Sequence, residues 1–189
     1  MILTESKLRE LTPEVRVINE AMAQRRMFSE VHRNYSVFLS HKHDEIEYLN
    51  RVRSVLESLN AYVYVDWADP AMQHPTNRAS AERIKQNIFR YDKFIFIASN
   101  AAINSRWCNW EVGYGDAQKY VANKIAIFPV KQDNRDWEGS EYLQLYPIIE
   151  YFDGTTFYRD THERIERGFY VKYYYNDNVI VPLATWLGR

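Results

Sequence analysis

Residues 105–117 read SRWCNWEVGYGDA and follow a short apolar run, FIFIA, at residues 94–98. A short apolar run of this kind predicts a buried strand. Ser105 is a suitable N-cap for a helix that begins at Arg106. The sequence therefore predicts a strand followed directly by a helix, which is one repeat unit of an α/β fold.

Three side chains of this predicted helix share one face, because Trp107, Glu111 and Tyr114 are separated by four and three residues. One carboxylate is thereby expected between two aromatic rings, near the carboxyl end of a strand. Ligands of open α/β sheets bind at that end. A carboxylate there can orient a sugar hydroxyl and stabilise a developing cation.

Strands and helices alternate up to about residue 130. The predicted strands are near-continuous apolar runs, as expected for a parallel sheet that is covered on both faces. These strands are residues 35–39, 61–65, 93–98 and 124–130, and the predicted helices are residues 46–59, 78–90 and 106–121.

Beyond residue 130 the pattern is weaker. Residues 141–152 are predicted to be helical, residues 168–175 to be a strand and residues 182–187 to form a closing helical turn. The pattern does not identify which segment is the fifth strand of the sheet.

The amino-terminal segment is predicted to be helical from about residue 5 to residue 31, with Thr12-Pro13-Glu14 as a helix start. We expect residues 1–33 to form a helical extension, and residues 34–189 to form the main domain. The extension either packs on that domain or serves as an oligomerisation helix.

The bulk composition restricts the class of protein. The 189 residues allow one domain, and 46% hydrophobic with 26% charged residues is ordinary for a soluble chain. With a net charge of −1, the chain lacks the excess of positive charge that is typical of nucleic-acid-binding proteins. No apolar run approaches the roughly 20 residues of a membrane span. One cysteine, no signal-peptide pattern and no metal-ligand spacing among the five histidines predict a cytoplasmic protein without a metal.

Taken together, residues 36–117 resemble a TIR (Toll/interleukin-1 receptor) domain of the bacterial type. The resemblance is carried by VFLS leading to Asp44, by VYVD before a long loop, and by SRWCNWE. It implies an α/β, flavodoxin-like three-layer fold with a parallel sheet of order 2-1-3-4-5. The chain is most similar to stand-alone TIR proteins of anti-phage systems such as Thoeris.

The resemblance also implies an activity, since many family members cleave NAD⁺ at the nicotinamide–ribose bond. The family's catalytic glutamate corresponds to Glu111. NAD⁺ is then the substrate and no cofactor is expected. The expected substrate-binding residues are Ser40, His41, Lys42, Asp66, Trp67, Trp107 and Tyr114.

The chemistry fits a single carboxylate. Nicotinamide leaves readily because its ring nitrogen is cationic, and Glu111 would stabilise the oxocarbenium character that develops on the ribose. Attack by water gives ADP-ribose, attack by a group of the same ADP-ribose gives a cyclic form, and an external nucleophile gives a conjugate. The sequence does not decide which of these three products is formed. A cyclic or conjugated product would act as a signal to a separate effector.

Other interpretations of the same residues remain. Trp107 and Trp110 are also suited to the core, and Asp66 to capping a turn. Cys108 is expected to be a small buried hydrophobe rather than a nucleophile. His41 and His43 are common residue types for a polar loop.

The main alternative function is a non-catalytic TIR adaptor that acts by self-association through TIR surfaces. The loop at residues 66–76 and the amino-terminal helix would then carry the function. A phosphoreceiver is excluded because Ala98-Ser99-Asn100 replaces its aspartate, and a flavodoxin because Ser40-His41-Lys42 is no phosphate loop. A nucleoside deoxyribosyltransferase, which also uses a glutamate at a sugar carbon, is a remote chemical neighbour.

Overall fold

The computed structural model describes residues 1–13, 35–66, 69, 77–158, 160–174 and 176–189. The strands are β1 Leu3–Thr4, β2 Tyr35–Ser40, β3 Ala61–Tyr64, β4 Lys93–Ala98, β5 Ile125–Lys131, β6 Ile148–Phe152, β7 Gly168–Tyr173 and β8 Asn176–Pro182. The α-helices are α1 Glu5–Leu11, α2 Ile46–Ser58, α3 Arg78–Arg90, α4 Asn100–Ile103, α5 Arg106–Lys119 and α6 Leu183–Leu187, and a 3₁₀ helix spans Glu141–Leu145.

The sheet has a parallel centre and an antiparallel edge. Strands β3, β2, β4, β5 and β6 lie side by side in that order and pair in parallel. This is the order 2-1-3-4-5 for the five parallel strands. Strands β7 and β8 then continue the sheet in antiparallel fashion. The predicted α/β fold with a parallel sheet is confirmed.

Strand β6 is the fifth parallel strand that the sequence pattern left open. Our prediction that residues 141–152 are helical is wrong beyond Leu145. Tyr146 adopts an extended backbone, with ψ of 147°, because it precedes Pro147, which disfavours helical geometry in the preceding residue. The apolar segment that follows is then free to pair with β5 and β7.

Helices cover both faces of the sheet. On one face, α1, α2 and α6 share a buried cluster with Ile95 and Ile97 of β4, and on the other face α3, α4 and α5 share one with Phe94 and Phe96. Successive residues of a strand point to opposite faces, so the continuous apolar run of β4 serves both layers. No helix in the described ranges is long and apolar enough to cross a membrane.

The first thirteen residues pack against the main domain. Strand β1 pairs with the end of β5, at Val130 and Lys131, and Leu8 of α1 is fully buried. Thr12 ends α1, since its backbone N–H donates to Arg9 O at 3.2 Å. The rest of the predicted helical segment, up to residue 31, lies outside the described part of the chain. The same holds for the predicted boundary at residue 33.

Helix α2 begins without a side-chain cap. Its N-cap is Glu45, which makes no side-chain capping bond. Asp44 pairs with Lys42, and Glu47 pairs with Arg9 of α1 at 2.7 Å. Both acids near the start of this helix are thus engaged in ion pairs.

Helix α5 approaches the sheet closely at one of its two glycines. A methyl group at Gly115 would lie 3.0 Å from the ring of Phe94, whereas one at Gly113 would meet nothing within 4 Å. Close packing against the sheet therefore occurs at Gly115 and not at Gly113, which is exposed.

This difference makes a matched pair of variants. We expect Gly113→Ala to raise the free energy of unfolding by up to about 1 kcal/mol, because alanine is the better helix former. We expect Gly115→Ala to lower it by about 1–2 kcal/mol despite the same gain, because Phe94 is fully buried and cannot move away. Urea denaturation measures both values, and equal stabilisation by the two variants would contradict the packing described here.

Candidate active site

Helix α5 places Glu111 on the side that faces the sheet. Ser105 caps the helix, as predicted, by accepting a hydrogen bond from the Cys108 backbone N–H at 3.3 Å. The Glu111 side chain is directed inward and the residue is only 2% exposed. Its Oε2 accepts a hydrogen bond from the Ser40 hydroxyl at 2.5 Å. Because Ser40 is the last residue of β2, this bond joins α5 to the carboxyl end of the sheet.

The Glu111 carboxyl group is electrostatically strained. Burial raises its pKa well above the ordinary value, and the charge of nearby Asp66 raises it further. The Ser40 hydroxyl and the Trp107 indole group act in the opposite direction. An ionised Glu111 is therefore high in energy, and a positive charge that develops on a bound ligand would lower that energy.

Asp66 forms the second part of the site. It follows β3 and is 4% exposed. Its two oxygens face two histidines of the loop after β2: Oδ1 lies 3.8 Å from Nδ1 of His41, and Oδ2 lies 3.4 Å from Nε2 of His43. Burial lowers the pKa of His41, whereas the contact with Asp66 raises the pKa of His43. The pKa values of the two rings are thus shifted in opposite directions although the rings stack at 5.6 Å.

Trp107 borders Glu111 along the helix. It is half-buried and packs against Trp110 with ring centroids 5.0 Å apart. Its buried Nε1 lies near the Glu111 carboxylate and lowers the pKa of that group, but it makes no complete hydrogen bond with any described residue. Trp107 therefore places a polar group beside the buried carboxyl group.

Two of the predicted site residues have their described contacts elsewhere. Tyr114 stacks on Trp110 at 6.4 Å, and the Lys85 ammonium of α3 lies 5.3 Å from the Tyr114 ring. Lys42 is paired with Asp44. Trp67 lies outside the described residues. The structure therefore brings together Glu111, Ser40, His41, Asp66 and Trp107.

His43 was not among the residues that we predicted for the site. Its place beside Asp66 results from the parallel pairing of β2 with β3, which brings the polar residues that follow the two strands to one edge of the sheet. Among the residues that the structure describes, no group of three or more His, Cys, Asp or Glu side chains is arranged to hold a metal ion.

A second polar cluster lies where the sheet order reverses, between the ends of β2 and β4. The Ser99 hydroxyl lies 2.8 and 2.6 Å from the two oxygens of Glu45, and burial raises the pKa of Glu45. Beside it is a cavity of about 80 Å³. The lining residues are Glu45, Tyr48, Ser99, Asn100, Ala101, Val130, Gln132 and Arg135.

Comparison with known proteins relates the chain to one family and one curated protein. A family model described as "TIR domain" matches residues 37–167. The chain is 28% identical over 141 residues to "Probable 3' cyclic ADP-D-ribose synthase ThsB'" of Bacillus cereus (strain MSX-D12). That alignment covers 69% of this chain and 72% of the relative.

Among solved structures, the chain resembles a 2-deoxyribosyltransferase from Bacillus psychrosaccharolyticus, with a TM-score of 0.40 and 14% identity. The likeness covers 50% of this chain and 72% of the other. A similarity at this level carries no argument about function.

The strained carboxyl group predicts a pH-dependent effect on folding. Below about pH 4.3 a glutamate is protonated in both the folded and unfolded states, so wild type and Glu111→Gln should have similar stability. As the pH rises from there to the folded-state pKa, the wild type loses stability because Glu111 is ionised only on unfolding. We expect Glu111→Gln to be the more stable protein at neutral pH, by about 1.4 kcal/mol for each unit of pKa difference.

Urea denaturation between pH 4.5 and 8 measures this difference. Glu82→Gln is the control, because Glu82 is exposed and its ion pair with exposed Arg78 contributes little. Its difference from wild type should be small. A Glu111→Gln protein that is less stable than wild type at pH 7 would contradict the electrostatic description of the site.

Cys108 is expected to be inert. It is buried, its thiol donates to His41 O at 3.4 Å, and burial raises its pKa to about 12. Its thiolate fraction at pH 8 is then on the order of a thousandfold below that of a free cysteine. We expect iodoacetamide to label the native protein at pH 8 far more slowly than the urea-unfolded protein, as followed by mass spectrometry; equal rates would show that the thiol is accessible.

Proposed function

Because the chain belongs to the TIR domain family, we propose that it is an enzyme that cleaves NAD⁺ at the nicotinamide–ribose bond and produces a cyclic ADP-ribose-type signalling nucleotide in antiviral defence. The observation that carries this proposal is the buried Glu111 carboxyl group, held by Ser40 at the carboxyl edge of the parallel sheet. The similarity to a cyclic ADP-ribose synthase supports the choice of substrate and product.

The proposed reaction begins with breakage of the bond between the anomeric carbon and the nicotinamide nitrogen. The electron pair of that bond goes to nicotinamide, which leaves as a neutral molecule, so no acid is needed. The positive charge that develops on the ribose is stabilised by Glu111, whose own burial makes it an energetically favourable partner for a cation. The Ser40 hydroxyl holds the carboxylate in place.

A group of the same ADP-ribose then attacks the anomeric carbon. If that group is a ribose hydroxyl, its proton is released on bond formation and the product is cyclic. Exclusion of water favours this outcome over hydrolysis to linear ADP-ribose. The name of the curated relative favours the cyclic product.

Substrate contacts follow from the same placement. Trp107 offers a half-buried ring and an indole N–H that lacks a complete hydrogen bond among the described residues. Asp66, whose charge acts on Glu111, lies 3.8 Å from Nδ1 of His41. Contacts through Lys42, Trp67 and Tyr114 are also proposed.

The proposed function extends to the location, self-association and downstream partner of the protein. We infer that NAD⁺ is consumed in the cytoplasm, that copies of the chain associate through TIR surfaces, and that the product activates a separate effector. A non-catalytic adaptor gains nothing from an electrostatically strained carboxyl group in its interior, since such a group lowers stability without serving assembly.

The test is nicotinamide release from NAD⁺ by the purified full chain, followed by liquid chromatography. We expect Glu111→Gln to lower the rate at least about 100-fold, and Ser40→Ala to lower it about 10-fold, because the serine acts on the charge of Glu111. Glu82→Gln is the matched control on another helix and should retain the wild-type rate.

The product is assigned by mass spectrometry in ¹⁸O-labelled water. A cyclic product is lighter than ADP-ribose by one water and gains no label, whereas hydrolysis adds labelled oxygen. If the enzyme requires activation, the same measurement is made on extracts of phage-challenged cells that express wild type or Glu111→Gln. Defence that is retained in full by Glu111→Gln, without any NAD⁺-derived product, would favour the adaptor.

A further inference from the structure

The candidate site contains two buried carboxyl groups and a histidine that reaches one of them. Glu111 is 2% and Asp66 is 4% exposed, and they are close enough for the charge on Asp66 to act on Glu111. His43 lies 3.4 Å from Asp66 Oδ2, and 38% of its side chain is exposed. His43 therefore connects the buried acids with solvent.

The charges around His43 leave Asp66 as its main partner. Lys42 and Asp44, its neighbours in the loop after β2, pair with each other and largely cancel. His41, stacked on His43, is kept neutral by burial. Helix α5 contributes the ionisable groups Glu111 and Cys108, which both interact with Asp66.

Two adjacent buried carboxylates that both carry a charge repel each other strongly. A cation next to Asp66 reduces that repulsion. His43 has the position and the chemistry for this, since its imidazolium forms at a pH near neutrality and its pKa is raised by Asp66.

We propose that His43 is a positioning residue for the cleavage step: as an imidazolium bound to Asp66, it neutralises that carboxylate and thereby allows Glu111 to carry the negative charge that the reaction needs. This inference rests on the proposed function. It assigns His43 no contact with the substrate, and its effect on the reaction passes through Asp66 to Glu111.

The sign of the effect can be derived. The rate requires ionised Glu111, so the acid limb of the kcat/KM profile reports ionisation of Glu111 in the free enzyme. Removal of the His43 charge leaves Asp66 uncompensated, which makes Glu111 harder to ionise and moves the acid limb to higher pH. Removal of the Asp66 charge moves the same limb to lower pH.

The experiment is a pH profile of nicotinamide release by wild type, His43→Gln, Asp66→Asn and the double variant. We expect a shift of about one pH unit upward in His43→Gln and about one unit downward in Asp66→Asn. The double variant should have the acid limb of Asp66→Asn, because His43 no longer has a carboxylate to neutralise. A His43→Gln protein with reduced activity but an unmoved acid limb, or a double variant in which the two shifts simply add, would overturn the proposal.

A second readout keeps this test separate from the proposed function. If wild type and Glu111→Gln release no nicotinamide under any condition, the proposed function fails, and NMR titration of the same proteins still tests the coupling. In that titration, ¹³C-labelled glutamate and histidine should show a higher pKa for Glu111 in His43→Gln and a lower pKa for His43 in Asp66→Asn. Unchanged values in both variants would refute the coupling itself.

Discussion

The hydrogen bond between the Ser40 hydroxyl and the Glu111 carboxyl group is the contact on which the candidate site depends. It joins the last residue of a central strand to a helix that begins 66 residues later in the chain, at Arg106. The bond places a carboxyl group at the edge of the sheet where ligands bind, and it supplies a polar partner that a buried acid would otherwise lack.

Several features of the scaffold maintain that contact. Gly115 lets helix α5 lie directly on the Phe94 ring, so the helix cannot be moved outward without a loss of packing. One turn before Glu111, the Cys108 thiol donates to the backbone of His41, which ties the helix to the loop that carries Ser40. The position of the carboxyl group is thus determined by apolar packing and by hydrogen bonds, although burial of its charge is electrostatically unfavourable.

Much of this arrangement could be predicted from local patterns. The apolar run of β4, the Ser105 cap and the alternation of strands and helices indicated the fold, because each depends on neighbouring residues. The strand β6 was missed because the effect of Pro147 on Tyr146 competes with an apolar pattern that suits a helix equally well. Tyr114 was expected beside Glu111, but it stacks instead on Trp110, its i−4 neighbour. The partnership of His43 with Asp66 depends on strand pairing, which no local pattern reveals.

The strained glutamate also has a consequence over evolutionary time. A single base change converts either glutamate codon into a glutamine codon, and at position 111 that change would relieve the buried charge while preserving an acceptor for the Ser40 hydroxyl. Stability alone would therefore favour glutamine at this position. Under the proposed function, the need for a negative charge at the ribose opposes that change.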